Sequence, residues 1–200
     1  MNPTDDDVSN GWNAVAAELI AHRNPTIGVA TVREWATSLP AGASILDLGC
    51  GHGTPISAVL VEDGFDVFGV DASRDLVEEF RRRLPGAMVR CEAVETSTFF
   101  ERHFDAAIAI GLMFLLRDDI QEQLIRRVAA ALTPGGGFLF TAPTQDASWT
   151  DILTERQSHS LGMDAYRAIL RAADLELVGE FTDEGENHYY STRKAVRAVA

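Results

Sequence analysis

The chain has 200 residues, and its 30 acidic residues outnumber its 17 lysines and arginines, which gives a formal net charge of −13. This length predicts a single domain, and the 46% of hydrophobic residues are enough to build a sizeable core. The acidic balance argues against a nucleic-acid binder, because contacts to phosphates require a basic face.

The sequence also gives no sign of a metal centre, a disulfide framework or a membrane segment. The two cysteines, Cys50 and Cys91, make no disulfide framework, and no Cys/His spacing is typical of a zinc site. The N-terminal residues are polar and lack the apolar core of a signal peptide. No apolar run approaches the roughly 18 residues that a membrane span needs. We therefore expect a cytoplasmic protein with neither a metal nor a membrane partner.

Two helices are predicted before the first strand. Apolar and small residues over 12–20 indicate one helix, and a second is expected over 26–38, ending before Pro40 and Gly42. We expect residues 1–40 to form an N-terminal helical cap.

Between residues 42 and 142, short apolar runs alternate with helical patterns. The run at 104–110 is almost wholly apolar after Asp105, as expected of a strand that is buried on both faces. Ser73 is a predicted N-cap for the helix that follows it. The strands are expected at 44–48, 66–70, 87–91, 104–110 and 138–142, and the helices at 55–63, 74–84 and 118–132. This alternation predicts an α/β fold, with a parallel sheet covered by helices on both faces.

The pattern changes after Pro143. A polar segment containing Trp149 occupies residues 143–163, and we expect it to act as a lid over the cofactor-binding core at 42–142. A helix is predicted over 164–173, followed by strands at 176–181 and 188–193. A short turn-like connection separates these strands, which predicts an antiparallel pair. We expect residues 164–200 to close the single domain, 1–200, with a helix and a hairpin.

The motif that carries the chemistry follows the first predicted strand. Asp47 precedes glycines at positions 49, 51 and 53, and a second acid, Asp71, ends the next strand twenty residues after Gly51. Glycines let the chain turn tightly and let a ligand approach closely, and two successive strand ends bring both carboxylates to one crevice. The arrangement suits a nucleoside ligand whose ribose hydroxyls bind Asp71.

Two kinds of nucleoside ligand fit this spacing. A dinucleotide site also uses a glycine-rich turn and an acid about 20 residues further on, but it places Gly or Ala where this chain has Thr54. Asp47 would repel a pyrophosphate, whereas it suits a ligand that carries an amino group and a sulfonium. At these residues the chain resembles the class I S-adenosylmethionine-dependent methyltransferases.

The resemblance implies a Rossmann-like fold with a doubly wound, mostly parallel seven-stranded sheet and a C-terminal antiparallel hairpin. It also implies S-adenosyl-L-methionine as the cofactor. Carried over position by position, it assigns cofactor contacts to Asp47, Gly49, Cys50, Gly51, Gly53, Asp71, Ala72, Glu92, Ala93, Ala109 and Ile110. The sequence departs from many relatives after the fourth strand, where adjacent histidines are replaced by the run Leu112-Met113-Phe114-Leu115-Leu116. The Asp/Asn-Pro-Pro-aromatic motif of methyltransferases that act on DNA bases is absent too.

The acceptor is expected at the carboxyl ends of the central strands. The candidate substrate contacts are Trp12, Met113, Phe114, Trp149 and Arg156, and the candidate bases are His159 and His188. Ordinary packing is the alternative interpretation for the aromatic residues, and a surface charge is the alternative for Arg156. Methyl transfer from a sulfonium needs no acid, and it needs a base only when the acceptor keeps a proton of high pKa.

The leading hypothesis is therefore a methyltransferase acting on a small-molecule acceptor, without nucleic-acid or membrane partners. A non-catalytic S-adenosylmethionine-binding regulatory protein is one alternative, and a nicotinamide-dependent oxidoreductase is another. Nothing in the sequence identifies the acceptor, the atom that is methylated or the oligomeric state.

Overall fold

The computed structural model describes residues 7–196, so the outermost parts of the predicted cap at 1–40 and closing unit at 164–200 lie outside the described residues. Six helices follow the chain order α1 Ala16–His22, α2 Val29–Ala36, α3 Ile56–Glu62, α4 Arg74–Arg83, α5 Asp118–Ala131 and α6 Met163–Ala172. The strands are β1 Ser44–Leu48, β2 Asp66–Asp71, β3 Met88–Cys91, β4 Phe104–Ala109, β5 Leu132–Thr141, β6 Asp146–Thr150, β7 Gln157–Leu161, β8 Leu175–Thr182 and β9 His188–Lys194.

Seven of the strands form one sheet in the order β3-β2-β1-β4-β5-β9-β8. The first five of these pair in parallel, and β9 runs antiparallel to both of its neighbours. The predicted α/β fold with a closing antiparallel hairpin is confirmed. The strand order reverses between β1 and β4, and the carboxyl ends of strands at such a switch point are where open α/β sheets bind ligands.

Both faces of this sheet are buried. Ile45 of β1 packs in a cluster with residues of α2 and α3, whereas its neighbours Leu46 and Leu48 pack in a larger cluster with residues of α5 and α6. All five residues of β1 are buried, so the strand end that leads to the glycine motif has little freedom to move. At roughly 25 cal/mol per Å² of apolar surface, this burial is the main force that holds the site's scaffold together.

The N-terminal helices are shorter than expected. The helix expected over 12–20 begins at Ala16, because residues 8–15 form turns in which Asn10 and Gly11 have positive φ of 51° and 90°. The helix expected over 26–38 begins only after Gly28, whose φ is 78°. In both places the left-handed backbone is incompatible with a helix. The residues before α1 therefore form turns instead of a helix.

The segment at 143–163, which we expected to act as a lid, has regular local structure that was not predicted. It contains a two-stranded antiparallel sheet of β6 and β7. The inward positions of β7 are Ser158 and Ser160, which are both buried. Because these residues are polar, the strand shows no alternation of apolar and polar residues, and the sequence did not indicate it.

A buried polar network fastens this hairpin to the domain. The Gln121 side-chain amide donates to the carbonyl of Leu116 at 2.9 Å and to that of His159 at 2.8 Å. Its oxygen accepts from the Tyr166 hydroxyl at 2.5 Å. Gln121 and Tyr166 are both fully buried, so each lost partner would leave a polar atom without water to replace it.

Replacement of Tyr166 by Phe is therefore expected to lower the free energy of unfolding by roughly 1–3 kcal/mol, the cost of a buried polar group left unpaired. Tyr190→Phe is the matched control, because the buried Tyr190 hydroxyl has no hydrogen-bond partner within residues 7–196. Its removal should cost nothing measurable. Urea unfolding of the two variants measures both values, and equal destabilisation would contradict the network.

Candidate cofactor site

The loop after β1 is built around glycines that no other residue could replace without strain. Gly49, Gly51 and Gly53 have φ of +68°, +53° and +81°. A Cβ on Gly53 would lie 2.8 Å from atoms of Phe80 and Leu84, so this glycine is required for packing against α4. A Cβ on Gly51 would meet nothing within 4 Å, so at that position the loop presents bare backbone to open space.

Asp71 is held at the end of β2 by the glycine loop and by α4. Its Oδ2 accepts from the Gly51 backbone N–H and its Oδ1 from the Ser73 backbone N–H, each at 2.8 Å. Ser73 in turn is the N-cap of α4, as predicted, and its hydroxyl accepts from the Leu76 N–H. Burial raises the pKa of Asp71, and the two N–H bonds oppose that rise. Each oxygen keeps lone-pair capacity for a further donor.

A cavity of about 580 Å³ lies over these strand ends. Of the residues predicted to contact cofactor or acceptor, those that line it are Trp12, Gly49, Cys50, Gly51, Asp71, Ala72, Ala93 and Ile110. Four predicted cofactor residues are not among its lining: Asp47, Gly53, Glu92 and Ala109. Asp47 is buried and its Oδ2 accepts from the Ser57 hydroxyl at 2.5 Å, which ties the end of β1 to α3.

The other predicted acceptor residues lie outside the cavity lining. Met113 is fully buried in the core, and the rings of Phe114 and Trp149 pack on each other with centroids 5.4 Å apart. Arg156 lies beside the N-terminal segment, 3.5 Å from the position of a Cβ on Gly11. The structure therefore brings Trp12 to the cavity and leaves these four residues around the β6–β7 hairpin.

Neither candidate base lines the cavity. His159 lies between two carboxylates, with Nδ1 at 2.5 Å from Asp118 and Nε2 at 3.1 Å from Asp146, and these bonds raise its pKa. His188 lies at the start of β9, with Nε2 at 3.3 Å from Glu180. Because both nitrogens of His159 are engaged, the imidazole fastens the hairpin to α5 and has no free position for a substrate proton.

Comparison with known proteins places this geometry in a family. Residues 45–136 match the family model described as a methyltransferase domain. Methyltransferase GfsG of Streptomyces halstedii is 30% identical over 166 residues, which is 73% of this chain and 57% of that protein. Residues 45–136 therefore form a methyltransferase domain, and the sheet has the fold of the class I S-adenosylmethionine-dependent methyltransferases.

Solved structures agree on the fold at low sequence identity. The 1,6-didemethyltoxoflavin-N1-methyltransferase of Burkholderia thailandensis, with bound 1,6-didemethyltoxoflavin and S-adenosylhomocysteine, has a TM-score of 0.71 at 20% identity, over 92% of this chain and 84% of that one. The [4+2]-cyclase SpnF has a TM-score of 0.76 at 16% identity, over 98% and 97%. The chain spans between 33% and 57% of the length of the curated relatives it matches.

The chain covers the cavity with a segment that the sequence did not assign to the cofactor site. The lining residues of this segment are Asp7, Val8, Ser9, Asn10 and Trp12. The Asp7 carboxylate folds this cover by accepting from the backbone N–H of Ser9 and Gly11. The Asn13 side-chain oxygen then accepts from the Ser73 hydroxyl at 3.1 Å and from the Asp75 N–H at 3.0 Å, which fastens the cover to α4.

The lining also contains two basic side chains, His52 and Arg23, that are not among the predicted contact residues. His52 is 3% exposed, and the Thr54 N–H donates to its Nδ1 at 3.2 Å, so the ring proton is assigned to Nε2. Burial lowers the pKa of His52, and within residues 7–196 its Nε2 has no hydrogen-bond partner. Arg23 lines the same cavity and forms no ion pair with any described residue. The only sequence signal was the position of His52 between two glycines.

No helix within residues 7–196 is long and apolar enough to cross a membrane. Across the same residues, no group of three or more His, Cys, Asp or Glu side chains is arranged to hold a metal ion.

Asp47 makes the stability of the protein depend on pH. Burial raises the pKa of this carboxyl to about 7, so the stability it contributes is complete below about pH 4 and is lost as the pH rises through 7. Asp47→Asn removes that loss and keeps an acceptor for Ser57. The free energy of unfolding of the ligand-free variant, relative to the parent, should therefore rise between pH 4 and 8 by on the order of 4 kcal/mol.

Urea unfolding at several pH values measures this difference. The control is Asp66→Asn, which removes an exposed carboxylate at the start of β2 and so measures the general effect of removing one negative charge. A difference for Asp47→Asn that rises no more steeply than that for Asp66→Asn would show that the Asp47 carboxyl is not titrating near neutrality.

Proposed function

We propose that this protein binds S-adenosylmethionine in the 580 Å³ cavity and transfers the methyl group to a small-molecule acceptor. The observation that carries the proposal is the Asp71 carboxylate, held at the cavity wall by two backbone N–H groups beside the bare backbone of Gly51. A rigid carboxylate at the end of the second strand is suited to binding the two hydroxyls of a ribose, since charge-assisted hydrogen bonds gain strength from fixed geometry.

The other lining residues fit the remaining parts of this ligand. Ala72, Ala93 and Val94 offer an apolar wall for a base. His52 Nε2–H and the Arg23 guanidinium are donors without partners in the described residues, and a carboxylate would satisfy both of them. The amino-acid end of the cofactor carries such a group. In this arrangement the glycine loop lies between the ribose and the carboxylate.

The bound cofactor would supply a methyl group on a sulfonium, which leaves readily and needs no acid. The chain would contribute alignment and exclusion of water, which the apolar side chains of Leu19, Leu112 and Leu116 in the lining favour. Neither His159 nor His188 lines the cavity, and the Nδ1 lone pair of His52 is occupied by the Thr54 N–H. This favours an acceptor whose attacking atom already has a free lone pair at neutral pH.

A small acceptor is favoured by the size of the cavity and by charge. The volume falls in the range of about 300–1,000 Å³ typical of small-molecule sites, and a net charge of −13 opposes association with nucleic acid. The toxoflavin-type acceptor of the similar solved structure agrees with this class.

Thermal unfolding with added ligands tests the proposal. S-Adenosylhomocysteine at a hundred times its dissociation constant would stabilise the folded state by roughly 2.7 kcal/mol, so a clear rise in Tm is expected. NAD at the same concentration should leave the Tm unchanged. The reverse pattern would support the oxidoreductase alternative and reject the methyltransferase.

Asp71→Ala should weaken S-adenosylhomocysteine binding by tenfold or more, since each hydrogen bond from the ribose to a charged group contributes roughly 1.5–3 kcal/mol. Calorimetric titration measures the affinity, and circular dichroism confirms that the variant is folded. Asp75→Ala, which removes a carboxylate in the first turn of α4 that pairs with the exposed Arg74, should bind like the parent. Equal affinities for all three proteins would show that Asp71 does not hold the ribose.

A non-catalytic cofactor-binding protein is the second candidate, because the cavity lining offers groups that can bind the cofactor but includes neither of the candidate bases, His159 and His188. Formation of S-adenosylhomocysteine across a panel of small acceptors separates the two candidates. Binding of the cofactor without product formation on any acceptor would favour the regulatory role.

A further inference from the structure

The wall of the cavity after β3 is a non-helical, non-strand segment that packs on the core through the buried Val94 but makes few hydrogen bonds within itself. Ala93, Val94 and Glu95 line the cavity. Within the segment, the Thr96 and Ser97 N–H groups and the Thr96 hydroxyl bond to the Ala93 carbonyl. A wall that contacts a ligand must be rigid to bind it well, because ordering it on binding would cost conformational entropy.

Arg127 of α5 adds hydrogen bonds that fix the backbone carbonyls of this segment. Its Nη1 donates to the carbonyl of Val94 at 2.6 Å and to that of Glu95 at 2.8 Å. Its Nη2 donates to the carbonyl of Ser97. The guanidinium carbon also lies 4.4 Å from the centroid of the Phe99 ring. One planar side chain thus fixes three backbone carbonyls of the segment against the helix.

This use of an arginine differs from that of its neighbour. Arg126 forms an ordinary exposed ion pair with Glu122 at 2.7 Å. Arg127 forms no ion pair with any described residue and is partly buried, so the cost of its desolvation is offset by backbone carbonyls and an aromatic ring. An arginine that only adds charge to the surface does not need a set of carbonyl and aromatic contacts of this kind.

We propose that Arg127 is a positioning residue that fixes the wall at 93–95. It thereby sets both the affinity for the adenosyl cofactor and the preference for adenine over other bases in that cofactor. The inference rests on the proposed function, since it places the base of the cofactor against this wall. Arg127 itself does not line the cavity, so its effect on the ligand must pass through the carbonyls that it holds.

The test compares four variants of the full chain. Arg127→Met removes all donors and keeps most of the side-chain length, and Arg127→Lys keeps a charge that cannot reach three carbonyls in one plane. Arg126→Met is the matched control on the same helix. Arg167→Met breaks an ion pair with Glu180 on α6 and β8, and it controls for loss of stability at a place away from the cavity.

Calorimetry measures the affinities for S-adenosylhomocysteine and for its hypoxanthine analogue, S-inosylhomocysteine, at a temperature where circular dichroism shows every variant folded. Arg127→Met should bind S-adenosylhomocysteine at least tenfold more weakly than the parent, and its preference for adenine over hypoxanthine should fall towards one. Arg127→Lys should lie between. Arg126→Met and Arg167→Met should keep both the affinity and the preference.

The possible failures are distinguishable. A parent that does not bind S-adenosylhomocysteine overturns the proposed function and the inference together. A parent that binds, with Arg127→Met matching Arg126→Met, overturns the inference alone. Weaker binding in Arg127→Met with an unchanged base preference, or an equal loss in Arg167→Met, would make the role of Arg127 merely structural and reject it as a positioning residue.

Discussion

The site depends on the two hydrogen bonds that the Asp71 carboxylate accepts from the backbone. One comes from the glycine loop after β1 and the other from the first residue before α4. The carboxylate therefore joins the ends of two neighbouring strands, and it does so with groups that would otherwise be unpaired, namely a loop N–H and a helix-terminal N–H. Because Asp71 is nearly buried, each of these bonds also offsets the cost of keeping a negative charge away from water.

The parts of the fold that are periodic in sequence could be predicted. The strand expected at 44–48 has those bounds in the structure, and Ser73 caps α4 as expected. Strands that are buried on both faces appear in the sequence as continuous apolar runs. Turns that require positive φ appear as closely spaced glycines, and few other structures require that pattern. For the same reason, the eight predicted contact residues that line the cavity belong almost wholly to the turns after β1, β2, β3 and β4.

The rest of the site comes from contacts that leave no period in the sequence. Asn13 bonds to residues 60 and 62 positions away, and Arg127 bonds to carbonyls about 30 positions earlier. A side chain that bonds to a distant backbone can be placed only when the fold is known. Hydrophobic character also misled the interpretation at Met113, which was expected at the acceptor and is fully buried in the core. The strand β7 was not predicted, because the residues on its buried face are polar.

The attachment of the N-terminal cover has a consequence for how the sequence can change. Asn13 bonds to the Ser73 hydroxyl, and the backbone N–H of that same Ser73 bonds to the Asp71 carboxylate. The cover, the helix cap and the ribose-binding acid thus form a single chain of hydrogen bonds through one serine. A substitution at position 13 therefore changes the hydrogen bonding of position 71 although the two residues do not touch. Sequence change in the N-terminal segment is thus constrained by an acid that lies 58 residues further along the chain.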